Sequence, residues 1–84
     1  MQVELDIMQV IHKGIDRPTR IMYRTNLSWS VMQGFLAILE NQGLIQIKKE
    51  NGRTLYSLTD KGNNLLATYD SVKSQFDTIE PLTA

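Results

Sequence analysis

Hydrophobic side chains recur three or four positions apart in the first part of the chain, which is the spacing of an amphipathic helix. The first such segment covers residues 3–13, and Gly14 follows it as a helix stop. A short second helix is predicted over residues 18–25, because Pro18 suits a first turn, where its missing N–H costs no hydrogen bond. Asn26 then ends this helix, since asparagine tolerates the left-handed backbone of a tight turn.

A third helix is predicted over residues 29–42, with Ser28 as its N-cap and Gly43 just beyond its end. Its inward side chains follow the i, i+3, i+4, i+7 rule. They are Met32, Phe35, Leu36 and Leu39. Together with the second helix and the tight turn between them, this segment makes a helix-turn-helix.

The segment after Gly43 predicts a β-hairpin. Strands are expected over residues 44–49 and 54–58, because Asn51 and Gly52 between them both accept positive φ. The predicted fold class is therefore mainly α with a small β-hairpin. More specifically, it is a winged helix-turn-helix with a long C-terminal dimerisation helix.

That last helix is predicted from the N-cap Thr59 to about residue 79, and its apolar side chains are spaced four, three, four and three apart. This spacing is a two-heptad seam of the kind that joins two helices. The alternative is that the helix packs on the first helix of its own domain. We favour a homodimer, because apolar side chains beyond the compact domain would otherwise form an exposed stripe. The predicted interface residues are Leu65, Tyr69, Val72, Phe76 and Ile79.

The length of 84 residues allows a single domain overall. We assign residues 1–62 to the winged helix-turn-helix domain and residues 60–80 to the dimer seam. The chain contains no cysteine, which excludes a disulfide framework and a cysteine-ligated zinc site and fits a cytoplasmic location. Its apolar runs are far shorter than the ~20 residues that span a bilayer, and we recognise no signal peptide at its N-terminus.

The formal net charge is zero, but the charges are unevenly placed. Residues 13–53 hold seven Lys and Arg side chains against three acidic ones, whereas both ends of the chain are acidic. A basic middle between acidic ends predicts one positive face, of the kind that contacts nucleic acid.

The second helix carries one cationic face, since its arginines are three and four residues apart. Such a face suits contacts with DNA phosphates, each of which adds to the salt dependence of binding. The alternative is a solvated charged face on which Arg17 pairs with Asp16. The side chains assigned to phosphate contacts are Arg17, Thr19, Arg20, Tyr23 and Arg24.

The third helix is the predicted groove-reading element, and its outward positions include Ser30 and Gln33, with Ser28 at its entrance. The amide of Gln33 can pair with two edges of adenine in the major groove, and Ser30 can contact bases or phosphate. Gly34 and Ala37 present no bulk, so the helix could lie close to base edges. The alternative is that these are ordinary surface residues.

The hairpin would act as a wing that touches the DNA backbone or the minor groove through Lys48, Lys49 and Arg53. Lysines on an edge strand also serve only to prevent aggregation between sheets, and for Lys48 and Lys49 both interpretations remain open.

Several short motifs resemble the small archaeal winged-helix proteins, including the dimeric 10-kDa chromatin-type DNA-binding proteins of thermophilic archaea. The resemblance covers about residues 5–79 and implies DNA binding and antiparallel pairing of the C-terminal helices. Those proteins are generally basic, whereas this chain is neutral, which favours a site-specific regulator over bulk packaging. The matching motifs are Met22-Tyr23, Asn26-Leu27-Ser28-Trp29, Phe35-Leu36, Gly43-Leu44-Ile45 and Leu58-Thr59-x-Lys61-Gly62.

The sequence therefore predicts a dimeric double-stranded-DNA-binding protein of the cytoplasm and nucleoid, most simply a transcriptional regulator. A non-specific architectural protein and a protein-interaction module without DNA binding are the alternatives. No nucleophile with a neighbouring base, no phosphate-binding loop and no metal-ligand spacing is present, and His12 is the sole histidine. We predict no enzymatic activity, no cofactor and no metal.

Overall fold

A computed structural model describes the backbone of residues 2–79 and the side chains of residues 2–73. Each predicted element is present, and each of its ends lies within one residue of the expected position, so the predicted fold class is confirmed. The division at residues 60–62 stays a prediction. In chain order the elements are α1 (Gln2–His12), α2 (Pro18–Thr25), α3 (Trp29–Asn41), β1 (Ile45–Glu50), β2 (Arg53–Leu58) and α4 (Asp60–Ile79).

The corner between α2 and α3 is formed as the sequence predicts. Asn26 adopts a left-handed conformation with φ of 62°, and its backbone N–H donates to the carbonyl oxygen of Met22. The hydroxyl of Ser28 then accepts a hydrogen bond from the backbone N–H of Val31, which satisfies one of the donors exposed at the start of α3.

The two strands form an antiparallel hairpin closed by Asn51 and Gly52, both at positive φ. Ile45 lies directly opposite Leu58, and Tyr56 is two residues from Leu58 on the same face of the hairpin. Ile45 and Tyr56 therefore both point to the core, where they are buried. The backbone N–H of Tyr56 donates to the carbonyl oxygen of Asp16 at 2.8 Å. This bond ties the segment before α2 to the wing.

One hydrophobic core joins all four helices to the hairpin. From α4, Leu66 is buried in this core, and half-buried Leu65 and Tyr69 pack against it. No helix within residues 2–79 is both long and apolar enough to cross a membrane. The side chains that are less than 2% exposed are Ile7, Met8, Ile21, Met32, Leu39 and Ile45.

The end of α3 and the start of α4 meet in what we call the α3–α4 junction, residues 42–44 and 59–62. The hydroxyl of Thr59 donates to the carbonyl oxygen of Gly43 at 2.6 Å and accepts from the backbone N–H of Gly62 at 3.0 Å. Thr59 is thus both the N-cap of α4 and a tether to the end of α3.

Two further contacts complete the junction. The ammonium group of Lys61 donates to the carbonyl oxygen of Gln42 at 2.9 Å, where a cation also complements the negative end of the α3 dipole. A side chain at Gly62 would overlap the carbonyl of Leu44, so this close approach requires glycine. The Leu-Thr-x-Lys-Gly motif is therefore explained by local packing.

Candidate nucleic-acid interface

The arginines of the α2 segment are all exposed. Arg17 is the residue that precedes the helix, in an extended conformation, and Arg20 and Arg24 lie on the helix itself. Within residues 2–73 none of these guanidinium groups forms an ion pair, and the expected alternative, pairing of Arg17 with Asp16, is not seen. All three charges are therefore available to an external anion.

The structure separates these arginines into two groups. Arg20 and Arg24 line a cleft of about 320 Å³ together with Ile15 and Tyr23, whose side chain is 78% exposed. Thr19, on the same helix, is also exposed. These side chains lie on the solvent side of α2, and phosphate contacts through them stay a prediction.

Arg17 instead shares a cleft of about 430 Å³ with the tip of the wing. This cleft is lined by Asn51 and Arg53 of the hairpin and by the acidic residues Asp16 and Glu50. The backbone bond from Tyr56 to Asp16 brings Arg17 beside β2. The spacing of the three arginines in sequence did not indicate this arrangement.

The wing lysines differ from each other. Lys48 lies 3.5 Å from a carboxylate oxygen of Glu50, with both side chains more than half exposed, so the pair adds little to stability. Lys49 and Arg53 are exposed and form no ion pair with any residue whose side chain is described. Arg53 and Lys49 are thus the wing cations that remain available to a ligand.

On α3 the predicted outward positions are not equivalent. Ser30, Gly34 and Ala37 are exposed, as is the N-cap Ser28, but Gln33 is only half-exposed because it lies beside Tyr56 of the wing. Burial and the charge of Glu40 raise the pKa of Tyr56, whereas hydrogen bonding with the Gln33 side chain opposes this rise. Gln33 therefore sits at the border between α3 and the wing.

A further surface of α3 escaped the sequence analysis. Val31 and Ile38 are 46% and 45% exposed. They belong to what we call the apolar groove, about 240 Å³ in volume and open to solvent. Apolar residues at positions 31, 35 and 38 could have indicated a second hydrophobic side of this helix. The apolar groove is lined by Ser30, Val31, Gly34, Phe35 and Ile38.

The predicted dimer seam divides along α4. Leu65 and Tyr69 pack against the core, and the hydroxyl of Tyr69 donates to the side-chain oxygen of Gln2 at 3.4 Å. Tyr69 thus contacts α1, the helix on which the alternative interpretation packs α4. Val72 is 44% exposed. The side chains of Phe76 and Ile79 lie outside the described residues, and dimerisation stays a prediction.

The described residues offer no obvious metal site. No group of three or more His, Asp or Glu side chains that could hold a metal ion occurs among them. His12 is exposed at the end of α1, where a basic side chain complements the helix dipole.

Comparison with known families agrees with the fold described above. Residues 1–76 match the winged helix-turn-helix family. The chain belongs to this family. It is 32% identical over 76 residues to the uncharacterized protein MJ0287 of Methanocaldococcus jannaschii, covering 90% of this chain and 71% of that protein.

Solved structures share the fold at low sequence identity. ZitR of Lactococcus lactis, a zinc-responsive MarR family member, superposes with a TM-score of 0.78 and 19% identity over 98% of this winged-helix chain and 60% of ZitR. A mutant of S. aureus MepR gives a TM-score of 0.88 with 14% identity over 100% of this chain and 66% of MepR.

A third structure is the homodimeric winged helix-turn-helix DNA-binding domain Mb0332 of Mycobacterium bovis, a possible ArsR-family transcriptional regulator. It superposes with a TM-score of 0.78 and 21% identity over 88% of this chain and 69% of that chain. At such identities the likeness establishes the fold of this winged-helix chain, which spans about three fifths of ZitR.

Proposed function

We propose that this winged helix-turn-helix protein binds double-stranded DNA and acts as a transcriptional regulator. The observation that carries the proposal is a set of exposed arginines without ion pairs among the described residues, located in the α2 segment before α3 and on the hairpin that follows it. Membership of the family and the likeness to MarR- and ArsR-type regulators support it.

In this proposal α3 enters the major groove with its N-terminal half, so that Ser30 and Gln33 meet base edges. Arg20 and Arg24 hold phosphates on one side of the groove, with Thr19 and Tyr23 as hydrogen-bond donors. Arg17 contacts the DNA sugar-phosphate backbone beside the wing. Each phosphate contact releases condensed counterions, which favours binding at low salt. Lys49 and Arg53 provide the contacts of the wing itself, and Lys48 joins them only by giving up its exposed pair with Glu50.

We further propose a homodimer, as in the chromatin-type archaeal proteins that the motifs resemble. Two recognition helices related by a two-fold axis would then meet two half-sites. With Leu65 and Tyr69 already packed on the core of their own domain, the outer part of the seam, from Val72 to Phe76 and Ile79, would make most of the contact. Phe76→Asp is expected to yield monomer in light scattering, and a wild-type protein that is already monomeric at tens of micromolar contradicts this.

The main test is a titration of a fluorescent duplex of about 30 base pairs at several salt concentrations. A double variant, Arg20→Ala with Arg24→Ala, should reduce the magnitude of the slope of log K against log salt by about two, because each lost phosphate contact removes about 0.9 from it. Lys73→Ala, which removes an exposed cation of α4, is the matched control and should leave the slope unchanged.

Absence of binding at low salt would remove the proposal. Competition with random duplex then separates the remaining alternatives, since an architectural protein binds all sequences with equal affinity.

The second candidate function, a protein-interaction module, is favoured by the apolar groove and by the zero net charge. It would replace the first if all four arginines at positions 17, 20, 24 and 53 could be changed to alanine without altering any binding.

A further inference from the structure

The exposed side of α3 is unusually apolar for a helix that reads DNA. Val31 and Ile38 are each nearly half exposed, and Gly34 between them has nothing within 4 Å of the position of a side chain. The sole charged residue of this helix is Glu40, close to its C-terminal end. The helix therefore has little capacity to read guanine, whose usual partners are arginine and lysine.

The apolar groove overlaps the surface that the proposed function assigns to base edges. Ser30 and Gly34, two of the predicted outward positions, line it together with Val31 and Ile38. Ile38 also lines a second, shallow cleft together with Ala37, which is another exposed and outward position of α3. The apolar side chains and the groove-facing positions thus form one continuous surface.

Resting on the proposed function, we propose that the apolar groove binds the 5-methyl groups of thymine in the major groove. Thymine is the base that presents a methyl group there, beside its O4 acceptor. Val31 and Ile38 supply the apolar walls, and Gly34 lets the helix backbone approach the bases. Gln33 suits the adenine of an A·T pair, because its amide can both donate and accept.

Charge argues for DNA as the occupant of this surface. A protein partner that covered only the apolar groove of α3 would leave without a counter-charge the exposed arginines of the preceding helix α2, which form no ion pair with the described residues. A duplex satisfies both features at once, since its phosphates neutralise Arg20 and Arg24 while its thymine methyls cover Val31 and Ile38. Removing those side chains from water favours the complex.

The test compares an A·T-rich duplex of about 30 base pairs with the same sequence in which deoxyuridine replaces every thymidine. The two duplexes carry the same phosphates and differ by the methyl groups alone. We expect the thymine duplex to bind about fourfold more tightly for each methyl group that the helix covers. Val31→Ala and Ile38→Ala should each bring the ratio of the two affinities closer to one, with the salt slope unchanged.

Ile47→Ala is the matched control, because Ile47 is similarly exposed, at 38%, but lies on the wing strand. It should leave the ratio of affinities as in the wild type. Equal affinity of the wild type for the two duplexes would overturn the inference and leave the proposed function intact. Loss of self-association in Ile38→Ala with no change in the ratio would also overturn it, since the groove would then join two proteins. Absence of binding to either duplex would remove both proposals.

Discussion

The α3–α4 junction and helix α2 use cations in opposite ways. Both Lys61 and Arg24 are exposed, and each lies near the C-terminal end of a helix. Arg24 is in the last turn of its own helix, α2, whereas Lys61 is in the first turn of α4 and reaches the end of α3. The ammonium of Lys61 donates to the carbonyl oxygen of Gln42, the C-cap of α3, whereas the guanidinium of Arg24 forms no ion pair or hydrogen bond with the described part of the chain.

This difference shows which polar groups serve the fold. At the junction Thr59, Lys61 and Gly62 each meet a definite backbone group, so changing them should alter the free energy of unfolding. The arginines of α2 and the wing have no such partners, so changing them should alter the binding of a ligand and leave stability nearly constant.

The largest effect is expected for Gly62→Ala, because the added Cβ would overlap the carbonyl oxygen of Leu44. Backbone must shift to relieve this overlap, so we expect a loss of about 3 kcal/mol in urea denaturation. Gly34→Ala is the control, since nothing lies within 4 Å of its added Cβ and alanine is the better helix former. Equal stability of the two variants would contradict the tight packing of the junction.

Thr59→Val should cost about 2 kcal/mol, because it removes both the N-cap of α4 and the bond to Gly43 while keeping the shape of the side chain. Thr59→Ser retains the hydroxyl and should recover most of the loss. If the serine and valine variants unfold at the same urea concentration, the hydroxyl does not link α3 to α4.

A crossed pair of variants sharpens the comparison. Lys61→Met should lower the free energy of unfolding by about 1 kcal/mol and leave DNA affinity unchanged, since its ammonium is used within the protein. Arg24→Met should do the reverse. It should lower the affinity for DNA and the magnitude of the slope of log K against log salt, and it should change the free energy of unfolding by less than about 0.5 kcal/mol. Thermal unfolding and duplex titration of both variants measure the stability and the DNA affinity of each. A loss of affinity in Lys61→Met together with a loss of stability in Arg24→Met would refute the distinction.

The smallest effect concerns Tyr56, whose pKa is raised by burial at the border of α3 and the wing. The unfolded chain ionises this phenol first as pH rises past about 10, so the stability that it contributes is present below that pH and is lost above it. Tyr56→Phe should therefore lose stability less steeply above pH 10 than the wild type. Parallel curves in urea denaturation between pH 8 and 11 would show that the phenol is not desolvated.

The sequence alone determined the elements and their turns. Helical spacing, the N-caps Ser28 and Thr59, and the left-handed Asn26 are local signals, because each depends on residues within one turn of chain. The same holds for the hairpin at Asn51 and Gly52. These signals were enough to predict the order of elements and the cationic side chains of the candidate interface.

Tertiary structure alone decided which of those side chains lie together. It placed Arg17 beside the wing, brought Gln33 next to Tyr56, packed Leu65 and Tyr69 on the core, and left the apolar groove of α3 open. None of this follows from spacing in sequence, because the neighbours come from elements far apart in the chain. Their contacts depend on how the hydrophobic core aligns those elements.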